Sequence, residues 1–295
     1  MKIILFSRPG LDLDPAEIKT IFSSLTENGL GYAVNSGFAD SVTATTGIEI
    51  PEELRYDRIT PELTENSIMV SYGGDGTFLE ASKIIYNTNI PIIGINYGHL
   101  GFLTSVPRNE LKEVFRQLSE KKYSLEKRTL LRIEGDFGQE VEHPYALNEF
   151  SLHRTGNGMV NIEVFVGSDK LATFRGDGTI VATPTGSTAY SLSAGGPIVA
   201  PDCSCFVISP IAPHNLTMRP VVIQDSSVLT FTLGGRDPYG LVSLDNRSFM
   251  VPNGASFKVL KAEKSIFLVK LQNISFYDTL RNKMMWGLDG RDSDK

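Results

Sequence analysis

The chain has 295 residues, 41% of them hydrophobic and 21% charged, and a formal net charge of −6. That length suits two domains of ordinary size, and the composition is that of a globular protein. The negative balance argues against a nucleic-acid binder, which needs a basic face, and no apolar run approaches the roughly 20 residues of a membrane-spanning helix.

The opening Met1-Lys2-Ile3-Ile4-Leu5-Phe6-Ser7 reads as a first strand and is too short for a secretory signal. Asp14-Pro15-Ala16-Glu17 then starts a helix, with Asp as N-cap, Pro at N1 and Glu at N3. Ile18, Ile21, Phe22 and Leu25 recur at helical spacing until Asn28-Gly29. Residues 35–64 show no clear period, and no element is assigned there. An apolar strand over 68–72 runs into Gly73-Gly74-Asp75-Gly76, followed by a helix over 77–86 and a buried-type strand over 90–95. Strands without alternation, joined by helices, indicate a parallel sheet covered on both faces. Ligands of such sheets sit beyond the carboxyl ends of the strands. Both the glycine turn and Asn96-Tyr97-Gly98-His99-Leu100-Gly101 occupy that edge. A helix over 109–121 closes this half.

From Leu130 onward the pattern changes to short alternating runs. Ile162, Val164 and Val166 alternate, Gly167-Ser168-Asp169 is a hairpin turn, and 258–260 and 266–271 read as late strands. A last helix near 277–286 is expected to return to the first domain. The predicted organisation is α/β plus all-β: a Rossmann-like parallel-sheet domain over 1–125, a β-sandwich domain over 126–272, and a C-terminal segment over 273–295.

Chemistry concentrates in three places. At the glycine turn the backbone can present N–H groups to a phosphate, and the following helix adds the positive end of its dipole. Asp75 repels phosphate, so its use there is to take a proton from a hydroxyl or to face a metal; the bland alternative is an ordinary tight turn. No Walker-type P-loop and no Gly-x-Gly-x-x-Gly opening a helix after a strand occurs in the chain. Asn148-Glu149, after Tyr145-Ala146-Leu147, offers donor and acceptor to a diol or base edge, or is surface decoration. The run from Arg175 to Pro197 is rich in hydroxyls and glycines around Tyr190; it can bind a base and ribose, or be a plain Ser/Thr-rich loop. Cys203 and Cys205 read as reduced thiols on one face of a strand, without the further ligands zinc requires. His99, His143, His153 and His214 are assigned structural or solvent-facing places.

Four motifs in order, Gly73-Gly74-Asp75-Gly76-Thr77-Phe78-Leu79, Gly94-Ile95-Asn96 with Gly101-Phe102-Leu103-Thr104, Leu147-Asn148-Glu149, and Asp177-Gly178 through Pro197, resemble those of the NAD kinases. The first alone is shared with lipid kinases and phosphofructokinases; the Thr-Pro-Thr-Gly-Ser-Thr-Ala-Tyr segment separates the NAD kinases from them. The resemblance implies transfer of the γ-phosphoryl of ATP to the 2′-hydroxyl of the adenosine ribose of NAD. It implies Asp75 as proton acceptor, with Gly73, Gly74, Gly76 and Asn96 at the phosphates. It implies NAD contacts from Asp75, Gly76, Asn148, Glu149, Arg175, Asp177, Thr188, Ala189, Tyr190, Ser191, Leu192, Ser193 and Ala212. It further implies Mg²⁺ bound mainly through the ATP phosphates, with no metal site of the protein's own. NAD and ATP are the expected partners, without nucleic acid or membrane, in a cytoplasmic homodimer or homotetramer. Where many bacterial members read Asp-Gly-Gln, this chain reads Asp245-Asn246-Arg247, exchanging a glutamine contact for a cation. The alternatives are a diacylglycerol-type lipid kinase and a non-catalytic NAD- or NADP-sensing module.

Overall fold

A computed structural model describes residues 1–97, 101–104, 106, 110–272 and 275–286. The chain divides into two units: Met1–Lys127 together with the chain from Ile266 onward, and Arg128–Ser265.

The first unit opens with β1 (Lys2–Phe6), α1 (Pro15–Glu27), β2 (Gly31–Asn35), α2 (Ser36–Thr46), β3 (Arg55–Tyr56) and α3 (Pro61–Thr64). It continues through β4 (Ser67–Tyr72), α4 (Asp75–Ile85), β5 (Ile92–Ile95) and α5 (Leu111–Ser119). The expected N-cap holds: the Asp14 carboxylate accepts the Ala16 N–H at 2.8 Å, and Pro15 opens α1. Glu17 does not close a capping box; its carboxylate accepts the Tyr72 hydroxyl. The stretch without visible period contains α2, in which only Phe38, Ala39 and Val42 are buried. Asn35 ends β2 and caps α2 without a side-chain bond, so no loop and no cap signature separates the two. The four-residue stub β5 pairs parallel to β4, β4 to β1, β1 to β2 and β2 to β3. Ile3, Leu5, Val70, Ile93 and Ile95 project from one face of that sheet into a core with Ile18, Leu25, Phe38, Val114 and Phe115.

The second unit is antiparallel. It comprises β6 (Tyr123–Gly135), β7 (Tyr145–Ala146), β8 (Glu149–Arg154), β9 (Val160–Val166), β10 (Asp169–Gly176) and β11 (Gly178–Ala182), with β6 starting in the first unit. After the short helix α6 (Tyr190–Ser193) come β12 (Cys205–Ile211), β13 (Val221–Gln224), β14 (Leu229–Gly235), β15 (Tyr239–Leu244), β16 (Arg247–Pro252) and β17 (Ser256–Leu271). One sheet runs β13-β12-β11-β8-β15-β16; the other places β10, β9, β14 and the start of β17 side by side. Phe150, Val181, Phe206 and Val242 of the first meet Ile162, Leu229, Phe231 and Phe257 of the second in one core, which makes a β-sandwich.

The two late strands expected at 258–260 and 266–271 are the single strand β17. Lys258, Lys261, Glu263 and Lys264 are exposed along it while Phe257, Val259, Ala262 and Ile266 are buried, so the charges decorate a strand instead of interrupting it. Its residues 256–265 belong to the second unit and 266–271 to the first, where Leu268 pairs with Ile92. The helix α7 (Phe276–Met284) belongs to the first unit. Of the cysteines only Cys205 lies on a strand, as its first residue, and both thiols are free. Among the described residues no helix is long and apolar enough to cross a membrane.

Candidate active site

In the first unit β4 ends at Tyr72 and α4 begins at Asp75 itself, two residues earlier than the periodicity suggests. A carboxylate at the first helical position gains from the dipole, which is why this charge tolerates the tightest place in the turn. The Gly73 N–H is spent on the Ile95 carbonyl at 3.0 Å, which fastens the turn to β5. The amides of Gly74, Asp75 and Gly76 remain as the turn's available donors. Gly73 therefore shapes the turn and does not donate to a ligand.

The Asp75 carboxylate lies in a cradle made by residues 101–104. Its Oδ1 accepts the N–H of Leu103 at 3.2 Å, the N–H of Thr104 at 3.0 Å and the Thr104 hydroxyl at 2.9 Å. Its Oδ2 accepts, among the described residues, only the N–H of Phe102, at 3.0 Å. A carboxylate oxygen has two in-plane lone pairs, so Oδ1 is saturated while Oδ2 keeps one open. Asn96, buried at the end of β5, does not face outward: its amide donates to the Thr104 hydroxyl oxygen at 3.1 Å and so holds the cradle. Gly101 is required by contact, since a β-carbon there would overlap the Asp75 carboxylate. His99, with Gly98 and Leu100, lies outside the described residues, as does Asn109 of the helix expected over 109–121.

Arg8, two residues beyond the end of β1, was not among the sequence candidates. Its guanidinium donates to the Gly76 carbonyl at 2.9 Å and pairs with Glu80 at 2.6 Å, and its side chain is 34% exposed. The signal for it was position: it stands at the carboxyl edge of a parallel strand, beside the turn.

In the second unit Asn148 and Glu149 lie against Asp245. This residue takes a left-handed conformation, φ 52°, and its carboxylate accepts the N–H groups of Leu147, Asn148 and Glu149 at 2.9, 2.8 and 3.1 Å. Asn148, buried, and Glu149, half-buried, are thus not surface decoration but a pair fastened through their backbone N–H groups. The Glu149 carboxyl is pushed up to about 8 by burial and by the neighbouring Asp245 charge, the Tyr190 backbone N–H acting against both. One of its oxygens, Oε2, is buried with no partner among the described residues. Burial raises Asp245 as well, while its three N–H donors favour the charged form. Glu149 is therefore the member of the pair that holds the proton.

The 185–193 segment packs directly on this pair. Thr183 donates its hydroxyl to the Leu147 carbonyl at 2.6 Å and its N–H to that of Asn148 at 2.9 Å. Gly186 lies so close that a β-carbon would overlap the Asn148 backbone. Ser191 turns its hydroxyl inward, 3.1 Å from that of Ser209, whereas Ser193 is exposed. Tyr190 is 42% exposed and stacks one ring face on His153, with centroids 5.7 Å apart and planes 13° from parallel. His153 is thereby part of the site, where the sequence reading assigned a merely structural place. Burial lowers its imidazole below the usual range against the pull of Asp177, so it is neutral at pH 7. Asp177 is gripped by Arg154, with Nε 2.6 Å from Oδ1. Ala212, exposed and left-handed at φ 42°, follows β12, whose Ile211 carbonyl accepts the Asp177 N–H at 3.0 Å. Arg175 is exposed and makes no ion pair among the described residues.

The Arg247 guanidinium donates to the carbonyls of His143 and Tyr145 at 2.6 and 2.5 Å, so its described hydrogen bonds are internal.

Two family descriptions match the chain: the ATP-NAD kinase N-terminal domain over residues 22–123 and the ATP-NAD kinase C-terminal domain over residues 147–271. The NAD kinase of Cytophaga hutchinsonii is 37% identical over 292 residues, 99% of this chain and 100% of the relative. That of Bacteroides fragilis is 36% identical over 292 residues, with the same coverage. The chain belongs to the NAD kinase family. As a member it is a phosphotransferase, and the diacylglycerol-kinase alternative falls away because both NAD kinase domains match in order. Solved structures show the same fold. A yeast NADH kinase complexed with NADH superposes with a TM-score of 0.83 at 23% identity, covering 98% of this chain and 88% of that one. An NAD kinase from Archaeoglobus fulgidus in complex with ATP gives 0.74 at 24% identity, covering 97% and 99%.

Proposed function

We propose that this chain transfers the γ-phosphoryl group of ATP to the 2′-hydroxyl of the adenosine ribose of NAD, giving NADP and ADP, with Asp75 as the base. The observation that carries this reading is the unequal loading of its two oxygens: Oδ1 holds three donors and Oδ2 one. Oδ2 takes the proton of the 2′-hydroxyl. The freed oxygen attacks the γ-phosphorus, and the bond from that phosphorus to the β–γ bridging oxygen breaks, releasing ADP. Such transfers depend on positioning and charge, so a carboxylate in a fixed cradle suffices.

The amides of Gly74, Asp75 and Gly76 and the Arg8 guanidinium bind phosphate oxygens. This donor set suits an anion and not a cation, so a Mg²⁺ ion would be held mainly by the triphosphate and would supply charge neutralisation there, while the turn amides and Arg8 hold the phosphate oxygens. On the second unit Asn148 and Glu149 offer hydrogen bonds to NAD, and the open face of Tyr190 stacks on one of its rings. Thr188, Ala189, Leu192, Ser193 and Ala212 make further NAD contacts in this reading, and Ser191, whose hydroxyl is turned inward, contributes through its backbone. Asp177 accepts from a ribose hydroxyl, and the unpaired Arg175 meets the pyrophosphate. The two free cysteines support a cytoplasmic setting. A homo-oligomer is consistent with exposed apolar side chains such as Leu216 and Met250.

The test is a donor-and-acceptor assay on the full chain with ATP, Mg²⁺ and NAD, reading NADP. Turnover to NADP is expected, and Asp75→Asn lowers it by at least about 100-fold while NAD still binds. Full activity in that variant removes the base assignment. NAD binding with no NADP from the unaltered chain favours the sensing module instead.

A further inference from the structure

We propose that α7 is a positioning element for the reacting oxygen of Asp75: Phe276 and Lys283 hold the Phe102 ring, and Phe102 presents its backbone N–H to Oδ2. The inference rests on Asp75 being the base. The three residues lie in one unit, and each link is a contact in the structure.

Phe102 is half-buried, and its ring centroid lies 6.2 Å from that of Phe276 with planes 41° apart. The Lys283 ammonium sits 4.7 Å from the same centroid, a cation–π contact. Phe276 and Lys283 are seven residues apart, so two helical turns bring them to one face of α7. The helix is itself anchored. Ser275 and Asp278 form a reciprocal capping box, and Thr279 and Leu280 are buried.

The 101–104 loop is held at its other end by Asn96 through Thr104, and Leu103 is buried. That end serves Oδ1. At the Phe102 end, which serves Oδ2, the ring and cation–π contacts among the described residues come from α7. The two oxygens are thus oriented by different parts of the fold, and the open one depends on α7. A fixed donor stabilises the reacting group without reorganising, and a displacement of about 1 Å costs as much as 100-fold in rate.

Steady-state kinetics on the full chain decide the matter. Phe276→Ala and Phe102→Ala are each expected to lower kcat by about 10- to 100-fold while KM for ATP and for NAD stays within about twofold. The double variant should be no slower than Phe102→Ala, because Phe276 acts only through that ring. Lys283→Met should lower kcat less, Lys283→Arg should restore it, and the exposed Asn282→Ala should leave it unchanged. Unaltered kcat in Phe276→Ala, losses that multiply in the double variant, or losses confined to KM each overturn the inference. Should Phe276→Ala fail to fold, the Lys283→Met and Lys283→Arg pair decides alone, since Lys283 lies at the surface. Asp75→Asn assayed alongside separates the two ideas. If it retains turnover, the base reading fails; if it is inactive and the α7 losses multiply, only the positioning role fails.

Discussion

Thr104 places both its backbone N–H and its hydroxyl on Oδ1 of Asp75, at 3.0 and 2.9 Å, and receives the Asn96 amide on the same hydroxyl oxygen at 3.1 Å. One side chain thereby links the ends of β4 and β5. Thr104→Val removes the hydroxyl but keeps the shape and the backbone donor. It strips one charge-assisted bond from the carboxylate and removes the Asn96 amide's bond to that hydroxyl, a loss of about 2 kcal/mol. We expect kcat to fall about 10-fold with KM nearly unchanged, and Thr104→Ser to recover most of it. Equal kcat in Val and Ser variants contradicts the relay.

Arg8 faces the turn from the loop after β1, and its effect should appear in ATP binding. Arg8→Ala removes the cation beside the Gly74, Asp75 and Gly76 amides, and KM for ATP is expected to rise about 10-fold while KM for NAD holds. Arg8→Lys should recover part of this, because a point charge replaces a planar fork. A rise confined to NAD places Arg8 at the wrong substrate.

Arg247 tests the opposite kind of role. Its two bonds to the His143 and Tyr145 carbonyls are internal. Arg247→Gln restores the residue common in the family and loses both. The expected cost is about 2 kcal/mol, read as a melting temperature lower by about 4 to 8 °C. Kinetics with NAD should barely move. A large change in KM for NAD with unaltered melting shows that Arg247 does reach the ligand.

The contrast between Arg8 and Arg247 shows what a sequence discloses. Letters carry side-chain chemistry, so Asp75, Asn148-Glu149 and the hydroxyl-rich segment were legible, as was the Asp14-Pro15 start of α1. The cradle around Asp75 was only half legible, because three of its four donors are backbone N–H groups, which have no letter. Residues 36–46 were illegible as α2 because they are mostly small or polar and bury few side chains. His153 and Arg154 became part of the site only when β8 brought them beside β11, where His153 pairs with Gly178. Arg247 was visible as a charge, but its direction is a property of the fold.

Glu149 carries the pH prediction. Its carboxyl is raised from an ordinary 4.5 to about 8, first by burial and then by Asp245. A group whose folded value lies above its unfolded one binds its proton more tightly in the folded state. The stabilisation is complete below the unfolded value and is lost as pH rises through the folded one, here between 4.5 and about 8. Glu149→Gln keeps the shape and cannot ionise. Its melting temperature relative to the unaltered chain should therefore increase between about pH 5 and about pH 9, by several degrees. Asp75→Asn, far along the sequence in the other unit, should show no such crossover. If the Gln variant and the unaltered chain lose stability in parallel over that range, Glu149 is already ionised in the folded protein. The open oxygen at its carboxyl would then be an anionic acceptor and not a neutral donor toward NAD.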